Sequence, residues 1–158
     1  TNILNYMETL REHLREHIKL LTGDWISKNS GYEKEVCIRL GLECQKNRYW
    51  DCKYNETYIE IKKGKSIWLD EVRYCEIFMG CTDDSNKETI TIFIIPNKDK
   101  SKIENILIID TKKLIEFLQI NVEWAKTLLT HCKTIRRSLN CQQSMTLKDI
   151  KSIADYII

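Results

Sequence analysis

The chain has 158 residues, 42% of them apolar and 30% charged, and a formal net charge of +2. That length suits one compact domain, able to bury roughly two-thirds of its unfolded surface without a covalent staple. No apolar run reaches bilayer length and none resembles a secretory signal; a charge this near zero demands no polyanion, although a local basic patch can still bind one.

The first expected element is an amphipathic helix from Asn5 to Leu21. Tyr6, Leu10, Leu14, Ile18 and Leu21 recur at spacings of four and three, and Gly23 closes it. Its apolar stripe serves either its own core or a homodimer interface. A second helix is expected from Ser30-Gly31 through Val36 and Leu40 to Gly41, with Glu33 completing a capping box on Ser30. Three strand-like stretches follow, Leu42 to Lys46, Tyr49 to Tyr54 and Thr57 to Lys63; the last two flank Asn55-Glu56, which reads as a tight turn. A helix from Ile67 to Gly80 would place Trp68, Val72, Cys75 and Met79 on one side. Thr89 to Ile95 is almost continuously apolar and β-branched, as in a strand buried on both faces, and Pro96 ends it. Ile106 to Ile109 is a further strand. Thr111 to Gln119, Val122 to Cys132 and Leu147 to Ile157 read as helices, with Thr111 and Thr146 as N-caps.

This order predicts an α/β (α+β) fold, a mixed sheet flanked by helices. One proline and five glycines mark no linker, so residues 1–158 are expected to form a single domain. Within it, residues 1–22 are the N-terminal helix, 30–110 the core, and 111–158 the C-terminal helices with a polar loop. The chain begins at Thr1, so at least an initiator methionine is expected to have preceded it. Its seven cysteines are odd in number and contain no C-x-x-C pair, which argues against disulfide and zinc frameworks. Free thiols in a reducing cytoplasm are the simpler expectation, with no membrane partner.

The hairpin carries the chemistry. A two-residue turn at Asn55-Glu56 makes paired residue numbers sum to 111, so Tyr54 faces Thr57, Cys52 faces Ile59 and Asp51 faces Glu60. Opposed residues project on one face with Cβ atoms about 4.5–5.5 Å apart, and Lys62, two residues past Glu60, joins them. Ile59 and Ile61 point the other way, into a core. Two carboxylates held so close repel unless a cation lies between them. Lys62 offers one charge; a divalent ion offers more, and hard oxygen donors favour Mg²⁺, with Mn²⁺ as a substitute.

Asp51, eight intervening residues, then Glu60-Ile61-Lys62 resembles the signature of the PD-(D/E)xK nuclease superfamily. Leu40-Gly41-Leu42 before it, and the stretch from Ile108 to Phe117, are similar in character to small type II restriction endonucleases. No proline precedes Asp51, where Trp50 stands. The resemblance implies a restriction-endonuclease-like core with Asp51, Glu60 and the backbone carbonyl of Ile61 as metal ligands, and Lys62 orienting or deprotonating the attacking water. Some members add an acid from the preceding helix; Glu35 is the first candidate and Glu33 the second.

For DNA, Lys63, Lys65 and Ser66 beside the active strand would meet backbone phosphates. From Thr111 onward eight lysines and arginines face four carboxylates. Arg136 and Arg137 precede a polar loop, Ser138 to Ser144, in which Asn140, Gln142 and Gln143 have the groups to read adenine. A competing motif, His13-Leu14-Arg15-Glu16-His17, matches H-x-x-E-H of zinc peptidases. It lies within a near-repeat of Leu-Arg-Glu-His, which generates it without a metal, so a solvated helix face is the expected reading. The resemblance therefore implies a homodimeric, Mg²⁺-dependent, site-specific endonuclease for double-stranded DNA. Its rivals are a junction or repair nuclease of the same fold and a non-catalytic DNA-binding module.

Overall fold

The computed structural model describes residues 2–82, 88–137 and 139–158, and for residues 2–6 the backbone alone. Six strands form the main sheet in the order β1-β2-β3-β5-β6-β8: β1 (Glu43–Cys44), β2 (Cys52–Tyr54), β3 (Thr57–Lys63), β5 (Glu88–Pro96), β6 (Ile103–Asp110) and β8 (Tyr156–Ile157). Only β3 and β5 are parallel; every other neighbouring pair is antiparallel. A separate ribbon joins β4 (Ser66–Asp70) to β7 (Gln142–Thr146). The helices are α1 (Asn2–His17), α2 (Glu33–Arg39), α3 (Glu71–Phe78), α4 (Thr111–Phe117), α5 (Val122–Ile135) and α6 (Leu147–Ile153). The expected mixed sheet flanked by helices is thus present.

The alternation of the strands divides the core in two. Ile59, Ile61, Ile90, Ile92, Ile94, Ile106 and Ile108 meet Leu10 and Leu14 of α1 and Val36, Cys37 and Leu40 of α2. Phe93, Ile95, Leu107 and Ile109 meet Tyr74 and Cys75 of α3, Leu114 of α4, Leu128 of α5 and Met145 of β7 on the opposite face. β5 lies between β3 and β6 and is buried from Ile90 to Pro96, as a continuous apolar run requires. Of the expected apolar stripe, Leu10 and Leu14 of α1 and Leu21 beyond it are buried in the chain's own core, and the Tyr6 side chain lies outside the described residues.

Several boundaries differ from the sequence reading. The stretch from Ile67 is a strand up to Asp70 before it is a helix: Ile67 and Leu69 are buried while Trp68 between them is 58% exposed, a period of two. Asp70 then caps α3, accepting from the Val72 and Arg73 amides. The strand partner is β7, which takes in Gln142, Gln143 and Ser144 from the expected polar loop of Ser138 to Ser144; Ser138 lies outside the described residues. β2 begins at Cys52, not Tyr49. The last helix ends at Ile153, and Tyr156–Ile157 return to the edge of β6. Asp110, not Thr111, caps α4, accepting from the Lys112 amide. The position before α2 is Tyr32, without a side-chain cap, so Ser30 and Glu33 form no capping box there. α1 stops at His17 and is followed by a 3₁₀ turn, Ile18–Leu20. The capping box at Thr146 does form, with Asp149.

Candidate active site

Asn55 takes the left-handed conformation (φ 51°) that a tight turn needs, and the hairpin keeps the predicted register: Tyr54 pairs with Thr57, Lys53 with Tyr58, Cys52 with Ile59. The ladder stops there. Asp51 bends away, donating its amide to the Ile59 carbonyl (2.9 Å) while its own carbonyl accepts from the Gln45 amide (2.9 Å). Its carboxylate crosses to β3 and accepts the Ile61 amide at 2.7 Å. Asp51 and Glu60 are therefore not a ladder pair, but the two acids are close enough for the Asp51 charge to raise the Glu60 carboxyl. The Ile61 amide and carbonyl lie on the same edge of the strand, so this carbonyl also faces the region where β2 has ended.

Glu60 and Lys62 project towards α3, opposite to Ile59 and Ile61. There Glu60 forms an ion pair with Arg73, both side chains nearly enclosed, at 14% and 11% exposure. Arg73 also lies over the rings of Trp50 and Tyr74, 5.5 Å from each centroid. Burial pushes the Glu60 carboxyl up to about 7; Arg73 and Lys62 oppose the rise and the Asp51 charge adds to it. Burial likewise raises Asp51, against the pull of the Ile61 amide, with Glu33 adding repulsion. Burial lowers the Lys62 ammonium, which Glu60 and Asp51 partly restore. Two acids and a lysine are thus each held where water would not place them.

The acid that reaches this site from α2 is Glu33, whose charge acts on Asp51, Tyr32 and Lys63. Glu35 instead pairs with Arg39 at 3.1 Å, one helical turn along. Tyr32 has its hydroxyl pushed up to about 12, by burial first and then by Glu33, with the Asp51 and Glu60 charges adding to the rise.

Nothing in the residue spacing pointed to Arg73. Its place depends on where α3 starts, and a helix assigned from Ile67 carries the wrong phase; the Asp70 cap is the signal that corrects it. Tyr49, next to Trp50, is fixed by donating to Glu76 at 2.5 Å, and Glu76 also accepts from Arg48 at 2.7 Å.

The expected DNA-binding residues fall into two groups. Lys63 donates to the Ile26 carbonyl at 2.9 Å and lies 4.9 Å from the Tyr32 ring centroid; Lys65 and Ser66 are exposed beyond Gly64. Arg136, left-handed at the end of α5 (φ 51°), and Arg137 line a cavity of about 700 Å³ with Arg48, Lys133 and Asp70. Asn140 is exposed ahead of β7, and Gln142 and Gln143 are exposed on it, opposite Asp70 and Leu69. The ribbon connects the groups: Ser66 pairs with Thr146 at one end and Asp70 with Gln142 at the other. Four residues at about 3.3 Å each separate those ends by roughly 13 Å.

Among the described residues, no group of three or more His, Cys, Asp or Glu side chains is placed to hold a metal ion. The Asp51–Glu60 pair with the Ile61 carbonyl is an all-oxygen donor set of the kind Mg²⁺ takes, completing its shell with water. Its two raised acids fit a cation, and Arg73 supplies part of that charge at Glu60. His13 and His17 are not a solvated face. The His13 Nε2 bonds to the Leu40 carbonyl (2.8 Å), the His17 Nδ1 to the His13 carbonyl (2.8 Å), and the two rings stack at 4.1 Å on the end of α2.

No family model and no curated protein matches the chain.

Proposed function

We propose that the protein is a metal-dependent phosphodiesterase for double-stranded DNA, of the restriction-endonuclease type, with Asp51, Glu60 and Lys62 at its centre. The observation that carries this reading is the enclosed Asp51–Glu60 pair with Lys62 on the same face. Such a cluster costs stability in a resting protein, and perturbed acids and bases gather where chemistry is done. In this reading Asp51, Glu60 and the Ile61 carbonyl hold Mg²⁺, or Mn²⁺ in its place. The ion supplies charge neutralisation at the scissile phosphate. Lys62, its ammonium disfavoured by burial, orients the attacking water and takes its proton. Asp51 is held by the Ile61 amide, so its free oxygen keeps one direction. Arg136 and Arg137 meet phosphates, and Asn140 and Gln142 face base edges. Recognition of a palindromic site would use a homodimer with two-fold symmetry.

The test is incubation of phage-length duplex DNA with the protein in Mg²⁺ and in EDTA. Discrete fragments only with Mg²⁺ support a site-specific enzyme. A smear, or cleavage confined to branched substrates, moves the reading to a repair or junction nuclease. Lys62→Ala should reduce cleavage at least 100-fold, in line with loss of a general base, while DNA affinity stays within about threefold. Equal loss of binding would make Lys62 a phosphate anchor instead.

The Arg73–Glu60 ion pair favours a second reading, in which the cluster is structural and the protein a non-catalytic DNA-binding module. That reading expects intact DNA with every divalent metal and a biological activity indifferent to Asp51→Ala.

A further inference from the structure

Past Lys62 the chain makes a basic notch from two elements that are distant in sequence. Lys63, Gly64, Lys65 and Ser66 line it from one element and Pro96, Asn97, Lys98 and Lys100 from the other, together with Asn29. The cavity is about 410 Å³ and contains four lysines with no carboxylate among its lining residues. The overall charge is nearly balanced, with 25 basic and 23 acidic residues. A local run of four cations is therefore a departure for this chain.

The Lys63 side chain and the backbone that carries the other three lysines are fixed by their surroundings. Gly64, at φ 133°, lets the chain leave β3 while its amide still donates to the Ile94 carbonyl at 3.0 Å. Lys63 is fixed at one end by the Ile26 carbonyl and flanked by the Tyr32 ring. The hairpin between β5 and β6 is tied by Asn97, whose side-chain oxygen accepts from the Ser101 (2.9 Å) and Lys102 (3.1 Å) amides. Asp99, between Lys98 and Lys100, turns its carboxylate back onto Ser101, accepting its amide at 3.0 Å and its hydroxyl at 2.5 Å. Lys100 sits in the left-handed conformation, φ 59°, with its amide donating to the Asn97 carbonyl. Like charges gathered on ordered backbone repel one another, and an anion relieves that repulsion.

We infer that this notch is a phosphate clamp, in which Lys98 and Lys100 of the β5–β6 hairpin join Lys63 and Lys65 to hold the backbone of the DNA strand passing the Asp51–Glu60–Lys62 site. The inference rests on the proposed nuclease reading and adds the hairpin to it. The first of these lysines follows Lys62 directly and Lys65 lies three residues on. At about 3.3 Å per residue that is within roughly 10 Å, a span over which one DNA strand, at about 3.4 Å of rise per phosphate, presents about three phosphates. Lysine suits the task as a point charge that needs no base-edge geometry.

The experiment is a salt titration of duplex DNA binding by fluorescence anisotropy in EDTA, where no cleavage occurs. Parent protein is compared with Lys98→Gln/Lys100→Gln and with Lys19→Gln/Lys126→Gln, an equal charge change at exposed sites outside the notch. All four are exposed, so folding is retained, and a thermal melt checks it. Loss of two phosphate contacts lowers the log–log salt slope by about 1.8 for each protomer bound. The hairpin variant should show that drop, with affinity at least tenfold weaker at low salt, while the control keeps the parent slope. A parent that binds DNA and a hairpin variant with an unchanged slope would overturn the clamp and leave the nuclease reading intact. A parent that binds no duplex would overturn the nuclease reading. If that parent bound tripolyphosphate through Lys98 and Lys100, a free phosphate ligand would replace DNA as occupant of the notch.

Discussion

Arg73 shows how much of this site depends on one side chain. It neutralises Glu60 inside a nearly closed space and covers Trp50 and Tyr74 with its planar face. Removing one member of a buried ion pair costs far more than the pair contributes, because the other charge stays behind in low dielectric. Arg73→Ala should therefore destabilise the metal-free protein by about 3 kcal/mol at pH 8, measured by urea denaturation. At pH 5 the loss should be clearly smaller, since Glu60, pushed up to about 7, then carries a proton and needs no partner. An equal loss at both pH values would assign the effect to the lost aromatic packing alone. Arg73→Lys should recover only part of the stability, because an ammonium neither stacks on two rings nor forms a planar fork.

Among the elements, the end of α2 is the clearest case of a sequence motif put to another use. His13 and His17, one turn apart on α1, meet the Leu40-Gly41 turn, and the His13 ring takes the carbonyl that α2 leaves open. Gly41 is left-handed at φ 65°, and a Cβ there would come within 3.0 Å of both His Nε2 atoms. Gly41→Ala should cost about 1–2 kcal/mol, from the left-handed backbone and the displaced histidine. In a double-mutant cycle with His13→Ala the two losses should fall short of additivity, because both remove the same contact. Additive losses would place the whole cost in the backbone. The hairpin register was legible because turn length fixes strand pairing locally, and β5 was legible because a run buried on both faces has a single composition. The ribbon was not. β4 has only two buried residues, Ile67 and Leu69, and its partner β7 is more than 70 residues away, so the apolar residues of both β4 and α3 fitted one helical wheel. Glu60 and Lys62 could be placed on one face from spacing; Asp51, which leaves the ladder and reaches β3 through the Ile61 amide, was expected directly opposite Glu60 and is not, and Arg73, which depends on the ribbon ending at Asp70, could not be placed at all.

For the whole molecule, the buried cluster sets how stability depends on pH. Glu60 titrates near 7 in the folded chain and near its ordinary value of 4.5 when unfolded, and Asp51 is raised as well. Between those values the native state binds more protons than the unfolded state, so stability falls as pH rises, the opposite of the usual carboxylate behaviour. Lys62, lowered by burial, acts in the alkaline range, where loss of its proton relieves a cost already present at neutrality. In EDTA the melting temperature should therefore decline from about pH 5 to about pH 7.5, the direction being fixed by Glu60 and Asp51. Asp51→Asn keeps an oxygen to accept the Ile61 amide and removes one charge. It should raise the melting temperature at pH 8 by about 2–4 °C, equivalent to about 1 kcal/mol in a chain of this size. That advantage should disappear near pH 5, where Glu60 is neutral and little repulsion is left to relieve. Mg²⁺ at pH 8 should stabilise the parent more than the variant, since the ion takes over the charge that the substitution has already removed. A variant less stable than the parent at every pH would mean that Asp51 serves the fold through its hydrogen bond to Ile61, and that the acids are not poised for a cation.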